Sequence, residues 1–236
     1  MQRKLLGVTL LAVIALTVMA AASALAAEPT KMLPEPTEAK PLTGTDKSGE
    51  GVLVTTGGNE VKCKKDVSSF SATTPNKGTF HVTFESCKAK VPIIGSAPCT
   101  GVGDEKEKIL LLGTVEYWLA LLSSKLVAAL VFLIEEFHFT CEALGQKQLI
   151  LVKGCAAALA EPTEKLTKTT KDVFKEESKG VSDIREVLPV EAKEEIKCVT
   201  LTSVNGGAFE ESGQTGTDEN EKFEQGSKAV EVLLMN

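Results

Sequence analysis

Two histidines have the widest chemical repertoire in this sequence, because imidazole can bind a metal or transfer a proton near neutral pH. They are His81, in "GTFHVTFESC", and His138, in "EEFHFTC". Both stretches alternate large apolar residues with polar ones, which predicts strands with each histidine on the polar face. If the strands were neighbours, Glu85 and Glu136 would complete a zinc-type set of ligands. We favour solvated histidines at the strand surface and assign no metal ligand and no cofactor.

Motifs for covalent or phosphate chemistry are missing from the sequence. It contains no GxSxG, HExxH, P-loop or EF-hand pattern, and the spacing of its serines and histidines supports no triad. Acidic pairs such as Glu210-Glu211 and Asp218-Glu219 could serve a glycosidase, but surface carboxylates are common in acidic proteins. We therefore expect a protein without enzymatic activity, with a secreted hydrolase that has an acidic site as the alternative.

One tryptophan and one tyrosine, Trp118 and Tyr117, stand next to each other. Sugar-binding sites often offer an aromatic ring face, and neighbours in a strand point to opposite sides. Trp118 could therefore form one exposed platform, although we favour a tryptophan partly buried under a second sheet or loop. With His81 and His138, it completes the candidates for a ligand-binding surface.

Six cysteines and no CxxC pair indicate disulfides rather than a metal site, provided that the chain is exported. Cys63 and Cys87 are nearly symmetric about the turn at Pro75, so a hairpin would place them within bridging distance. One scheme therefore has the bridges Cys63–Cys87, Cys99–Cys141 and Cys155–Cys198. A second scheme, which stays open, has the bridges Cys87–Cys99, Cys63–Cys141 and Cys155–Cys198.

The N-terminus has the order of a secretory signal peptide. Arg3 and Lys4 precede an apolar run and then the small residues Ala24-Leu25-Ala26. This order predicts a signal peptide over residues 1–26, and hence a secreted, extracellular protein. Residues 27–50 are rich in Pro, Thr, Glu and Lys, which predicts a flexible linker.

Residues 51–236 show short apolar runs separated by turn residues, which indicates a single β-rich domain. Predicted strands include "KQLILVKGCAAAL", "KCVTLTSV" and "AVEVLLM". The β-branched residues of 167–176 also favour a strand, followed by a loop or short helix. The expected fold is all-β and mainly antiparallel, a β-sandwich or open barrel stabilised by disulfides.

The apolar stretch 109–134 is long enough for a membrane helix. However, Glu116 and Lys125 interrupt it, and each costs about 2.5–3.5 kcal/mol at the centre of a bilayer. We favour two strands with a turn at Ser123-Ser124-Lys125, whose returning strand is apolar on both faces and so is covered on both sides. A buried helix and a membrane-attached protein that inserts this hairpin remain alternatives.

The formal net charge of −6 disfavours nucleic acid as a partner, since its phosphates attract basic surfaces. Export and disulfides without catalytic motifs suggest an extracellular or cell-wall-associated protein that acts by binding or as structure. Its partner would be a wall component, an extracellular protein or a glycan.

The ordered motifs "VTFESC", "APCTGVG", "FHFTCE", "LVKGCAAALAEP", "SKGVSDI" and "VNGGAFEESG" cover most of residues 50–236. This series resembles a family of uncharacterised secreted proteins of soil actinobacteria. The resemblance implies an exported bacterial domain that is rich in strands and contains cysteines. It implies no activity, ligand or catalytic residue.

Overall fold

A computed structural model describes residues 31–91, 95–163, 165–190 and 194–235. The predicted signal peptide, residues 1–26, lies outside the described residues. Every regular element of the described chain is a strand. In chain order the strands are β1 (Lys31–Leu33), β2 (Leu42–Ser48), β3 (Gly51–Thr55), β4 (Glu60–Cys63), β5 (Lys65–Thr74), β6 (Lys77–Glu85), β7 (Lys88–Val91), β8 (Gly95–Gly101), β9 (Lys108–Leu122), β10 (Lys125–Ala143), β11 (Gln146–Glu161), β12 (Thr169–Phe174), β13 (Glu176–Ser178), β14 (Val181–Ser182), β15 (Glu186–Pro189), β16 (Ile196–Lys197), β17 (Thr200–Val204), β18 (Glu210–Gln225), β19 (Lys228–Ala229) and β20 (Leu233–Met235).

Antiparallel pairing closes the main sheet on itself twice. The first circuit runs β9-β10-β11-β12-β18-β2-β5-β6 and returns to β9. The second runs β10-β8-β7-β4-β3-β18-β17-β11 and returns to β10. The long strands β10, β11 and β18 belong to both circuits. The prediction of an all-β, mainly antiparallel fold is confirmed.

The stretch 109–134 forms the predicted strand pair. Strands β9 and β10 pair from Leu122 opposite Lys125, so Ser123 and Ser124 form a two-residue turn. Both serines have positive φ, 49° and 63°, as a type I′ hairpin turn requires. The part of the chain that the structure describes contains no helix long and apolar enough to cross a membrane.

The returning strand β10 is covered on both sides, as its apolar sequence predicts. Ala128 and Leu130 belong to the largest apolar cluster, with Leu42, Phe70, Phe80 and Tyr117. Ala129 and Val131, with the opposite parity, pack in a separate cluster formed with Ile184, Val187 and the cysteines Cys155 and Cys198. A third cluster surrounds the other four cysteines.

The prediction of a flexible linker over residues 27–50 is wrong for residues 31–33 and 42–48, which form β1 and β2. Met32 and Leu42 are 2% and 0% exposed. The buried face of β2 is formed by Leu42, Gly44 and Asp46. Of these three residues, only the leucine is strongly apolar. The sequence of β2 therefore shows no alternation of apolar and polar residues, although the strand pairs along its length with β5.

Three later predicted strands correspond to β12 at residues 169–174, β11 at 146–161 and β17 at 200–204. The predicted strand "AVEVLLM" is divided between the end of β19 at Ala229 and β20 at Leu233–Met235. After β12 the chain forms the short strands β13 and β14 rather than a helix. These two strands form a small sheet of their own.

Candidate functional site

A cavity of about 160 Å³ lies between the two larger apolar clusters, where the two circuits of the sheet adjoin. Its wall is almost wholly apolar, and β3, β6, β10 and β18 contribute most of the lining residues. The most prominent lining residues are Phe80, Phe132, Ile134, Phe137, Val152 and Ala156. An engineered apolar cavity of about 150 Å³ stays dry and binds benzene. This cavity has the size and chemistry to hold a small apolar molecule.

A β-bulge in β10 aims four large side chains at this region. Pairing with β11 shifts between Ile134 and Glu136, so the bulge inserts one extra residue. Phe132 and Ile134 line the cavity before the bulge, and Phe137 and Phe139 line it afterwards. If the strand alternated without a bulge from residue 132 to residue 139, the two pairs would face opposite sides of the sheet.

Gly154 lies opposite this bulge, where it pairs with Ile134. Its φ is +106°, and a Cβ added there would lie 2.3 Å from the carbonyl oxygen of Val199. Only glycine fits this backbone position. The bulge and the glycine together explain how an aromatic wall forms at the junction of the circuits.

One end of the cavity opens towards the surface. Ser48, Val52, Phe174 and Gly216 line both the cavity and an open groove outside it. The groove also contains the exposed side chains of Lys47, Glu50 and Lys175, with Glu50 paired to Lys62 at 2.5 Å. A ligand could enter through this end, which we call the mouth.

The mouth also carries a buried carboxyl group. Asp66 lines the cavity and is 6% exposed, and the Ser48 hydroxyl donates a hydrogen bond to its Oδ2. Burial raises the pKa of the Asp66 carboxyl, the hydrogen bond from Ser48 opposes this, and the charge of Asp46 raises the pKa further. The apolar cavity therefore ends at one polar, titratable group.

A second set of polar side chains lies inside the first circuit. It surrounds a space of about 20 Å³ lined by Tyr117, Thr170, Asp172 and Glu221. Thr170 Oγ1 donates a hydrogen bond of 3.0 Å to Glu221 Oε2. Burial raises the pKa of Glu221 to about 7, opposed by this hydrogen bond and helped by the charge of Asp46. Burial also raises the pKa of Tyr117 well above its usual value, and the carboxyls of Glu221 and Asp172 add to this. The space is large enough for one water molecule.

The two histidines lie on exposed positions of different strands. His81 on β6 pairs with Ser69 and Leu112, and His138 on β10 pairs with Leu151. Within residues 31–91, 95–163, 165–190 and 194–235, no group of three or more His, Cys, Asp or Glu could hold a metal ion. The zinc-type convergence considered from the sequence does not occur among these residues.

Trp118 is partly buried and packs against the cluster that contains Cys155 and Cys198. Its Nε1 donates a hydrogen bond of 3.3 Å to Glu116 Oε2, and Glu116 in turn contacts the Lys77 ammonium at 3.2 Å. The favoured interpretation of a partly buried tryptophan agrees with this position, and a sugar platform at Trp118 stays a prediction.

The acidic pair Glu210-Glu211 has structural contacts. Glu210 Oε2 accepts a hydrogen bond of 3.1 Å from the backbone N–H of Gly57. Glu211 forms an ion pair with Arg185 at 3.0 Å. The side chains of Asp218 and Glu219 lie outside the described part of the molecule.

All six cysteines form the first of the two schemes, Cys63–Cys87, Cys99–Cys141 and Cys155–Cys198. The hairpin of β5 and β6 pairs Lys65 with Glu85, which brings the flanking Cys63 and Cys87 together as the symmetry about Pro75 predicts. The competing bridges Cys87–Cys99 and Cys63–Cys141 are not formed.

The sequence did not lead us to Ser48, Asp66 or Glu221 as site residues. One signal was present in "KKDVSSFSA", where Asp66 shares its parity with the buried Phe70 and Ala72. A carboxylate on the apolar face of a strand is a candidate for a buried polar site. Comparison of the chain with family models, curated proteins and solved structures found no match.

Proposed function

We propose that this protein is exported and acts as a binding protein without enzymatic activity, outside the cell or at the cell wall. Its ligand is a small apolar molecule that occupies the cavity between the two circuits. The observation that carries the proposal is the almost wholly apolar lining of a cavity of about 160 Å³. Binding there removes the ligand from water, which is favourable in proportion to its apolar area.

Three further features support export. The first 26 residues have the order of a signal peptide. The three disulfides fit an oxidising extracellular setting. The motifs that resemble those of exported actinobacterial proteins also support export, and they suggest a bacterial source.

Calorimetric titration with ethylbenzene tests the proposed ligand class. We expect saturable binding of one molecule per chain to the oxidised protein. Ala156 lines the cavity, so Ala156→Leu should fill part of the space and weaken binding at least tenfold.

Ala143→Leu is the matched control, because Ala143 is partly buried but packs on the cysteine-rich cluster instead of lining the cavity. It should bind ethylbenzene as the unchanged protein does. Absence of binding, or equal binding by the Ala156→Leu protein, would contradict the proposal.

A further inference from the structure

The apolar cavity contains one acceptor atom that the fold leaves unused. Asp66 Oδ2 accepts the hydrogen bond from Ser48. Asp66 Oδ1 is buried and has no hydrogen-bond partner within the described residues. Nearly all buried polar atoms in proteins are paired, so a buried carboxylate oxygen without a donor points to a missing partner.

The carboxyl group stands where a bound molecule would meet it. Asp66 lines the same cavity as Phe80, Phe132 and Phe137, so the apolar body of a ligand and its polar end would have separate places. The side chain is 6% exposed, which leaves bulk water little access to Oδ1. A hydrogen bond made in such surroundings is stronger than one made in water.

Other carboxyl groups give this side of the interior a negative character. Asp46 is 5% exposed, and its charge acts on both Asp66 and Glu221. Lys47 and Lys175 line only the outer groove and are exposed, so water and salt screen them. Among the residues that line the cavity, Asp66 alone has an ionisable side chain, and its carboxylate favours a donor or cation and disfavours an anionic head.

We propose that the cavity selects apolar molecules that carry a hydrogen-bond-donating head, a hydroxyl or an ammonium group, and that Asp66 Oδ1 accepts this hydrogen bond. This inference rests on the proposed function, because it names the ligand class of the same cavity. The head lies at the mouth beside Ser48, and the apolar body extends towards Ile134 and Ala156.

Four probes of nearly equal size distinguish the contribution of the head group to binding from that of the apolar body. They are ethylbenzene, benzyl alcohol, benzylamine and benzoate, titrated calorimetrically into the full oxidised protein at pH 8, which favours the ionised form of Asp66. Asp66→Leu should lower the affinity for benzyl alcohol and benzylamine by about tenfold to a hundredfold, as expected for the loss of a hydrogen bond to a charged acceptor. Ethylbenzene should bind this variant as well as, or better than, the unchanged protein. Benzoate should bind weakest.

Asp172→Leu is the matched control, because Asp172 is also a buried aspartate of the first circuit but does not line this cavity. It should leave the ratio of benzyl alcohol to ethylbenzene affinity unchanged. Asp66→Asn, which keeps the size of the side chain, provides the same comparison if Asp66→Leu does not fold. Asp66→Asn should lower the affinity for benzylamine more than the affinity for benzyl alcohol, since the amide oxygen can still accept a hydrogen bond but carries no charge.

The possible failures are distinguishable. If the affinity ratio of benzyl alcohol to ethylbenzene is the same with and without Asp66, or if benzoate binds tightest, the head-group inference is wrong while the apolar site stands. If none of the four probes binds, the proposed function fails together with the inference.

Discussion

Four buried or partly buried carboxyl groups lie inside the first circuit. Asp66, Asp46, Glu221 and Asp172 come from β5, β2, β18 and β12, which are consecutive in the circuit. The opposite strands β6, β9, β10 and β11 present mainly apolar side chains to the same interior. Burying a carboxylate is costly, and a protein relieves that cost when the group takes up a proton. Burial raises the pKa of Asp66 and of Glu221 in this way, so we expect the stability of this interior to depend on pH.

Glu221 provides the sharpest test at the residue scale. Its pKa of about 7 in the folded protein exceeds its ordinary value of 4.5, so the folded state binds a proton more tightly than the unfolded chain. Stability from this group is complete below about pH 4.5 and is lost as the pH rises through 7, by up to about 3 kcal/mol. Glu221→Gln cannot titrate and should lose less stability over this range.

Urea unfolding at pH 5 and pH 8 measures this difference. Glu211→Gln is the control, because Glu211 lies on the same strand but is paired with Arg185, and this variant should keep the pH dependence of the unchanged protein. Equal pH dependence of the Glu221→Gln protein and the unchanged protein would show that Glu221 does not contribute.

At the scale of elements, the hairpin of β9 and β10 organises the fold. Strand β9 pairs with β6 on one side and β10 pairs with β11 on the other. Both edges of the hairpin are therefore paired within the eight-stranded circuit. Its two faces meet different apolar clusters. The two-residue turn sets the register of this pairing, because a shift by one residue would exchange the faces.

The turn itself can be improved. Ser123 and Ser124 both have positive φ, a conformation that Asn and Gly adopt more readily. The double change Ser123→Asn, Ser124→Gly should raise the free energy of unfolding by about 0.5–1 kcal/mol. Ser124→Val should lower it, since β-branched residues avoid positive φ. Urea unfolding checks both, and a loss of stability in the Asn-Gly protein would contradict the type I′ assignment.

The disulfide Cys155–Cys198 connects β11 to the segment that precedes β17. Its sequence separation of 43 predicts a loss of about 4 kcal/mol when both cysteines become alanine, from the entropy of the unfolded chain. The shorter loop of Cys63–Cys87, with a separation of 24, predicts about 3.5 kcal/mol.

Unfolding of the two double variants in urea measures these losses. Peptide mapping without reduction provides the control, since each variant should keep the other two bridges. A Cys87–Cys99 peptide, or a variant as stable as the unchanged protein, would contradict the assignment.

At the scale of the whole molecule, part of the apolar stretch 109–134 packs in the interior, while Leu110, Leu112, Leu121 and Leu126 are exposed. Val115, Leu119, Ala128 and Val131 are 0–1% exposed. Apolar groups that already pack against protein are already removed from water, so transfer into lipid adds little hydrophobic free energy. Moving these four side chains into lipid would therefore require the circuit to unfold.

Fractionation of the source cells or culture tests this consequence. We expect the protein in the medium or the cell-wall fraction, and in the supernatant after a carbonate wash of the membranes. A known integral membrane protein, followed through the same wash, serves as the control. Retention of the chain in the carbonate-washed membranes would favour the membrane-attached alternative.

The sequence by itself determined the local features of this protein. Alternation in "GTFHVTFESC" and "EEFHFTC" predicted two strands correctly, and the serines between two apolar runs predicted the hairpin. The symmetry of Cys63 and Cys87 about a turn favoured the correct bridge. These signals are readable because turns and period-two patterns involve residues close together in the chain.

Only the tertiary structure decided how the sheet closes and which side chains meet inside it. The circuits depend on pairs such as Ser212 with Thr55, which are far apart in sequence. The bulge that brings both Ile134 and Phe137 to the cavity breaks the parity on which a sequence prediction relies. Strand β2 was missed because its buried face carries a glycine and an aspartate. The cavity exists through these long-range pairings, and the local sequence pattern indicates only that Asp66 shares the buried face of its strand.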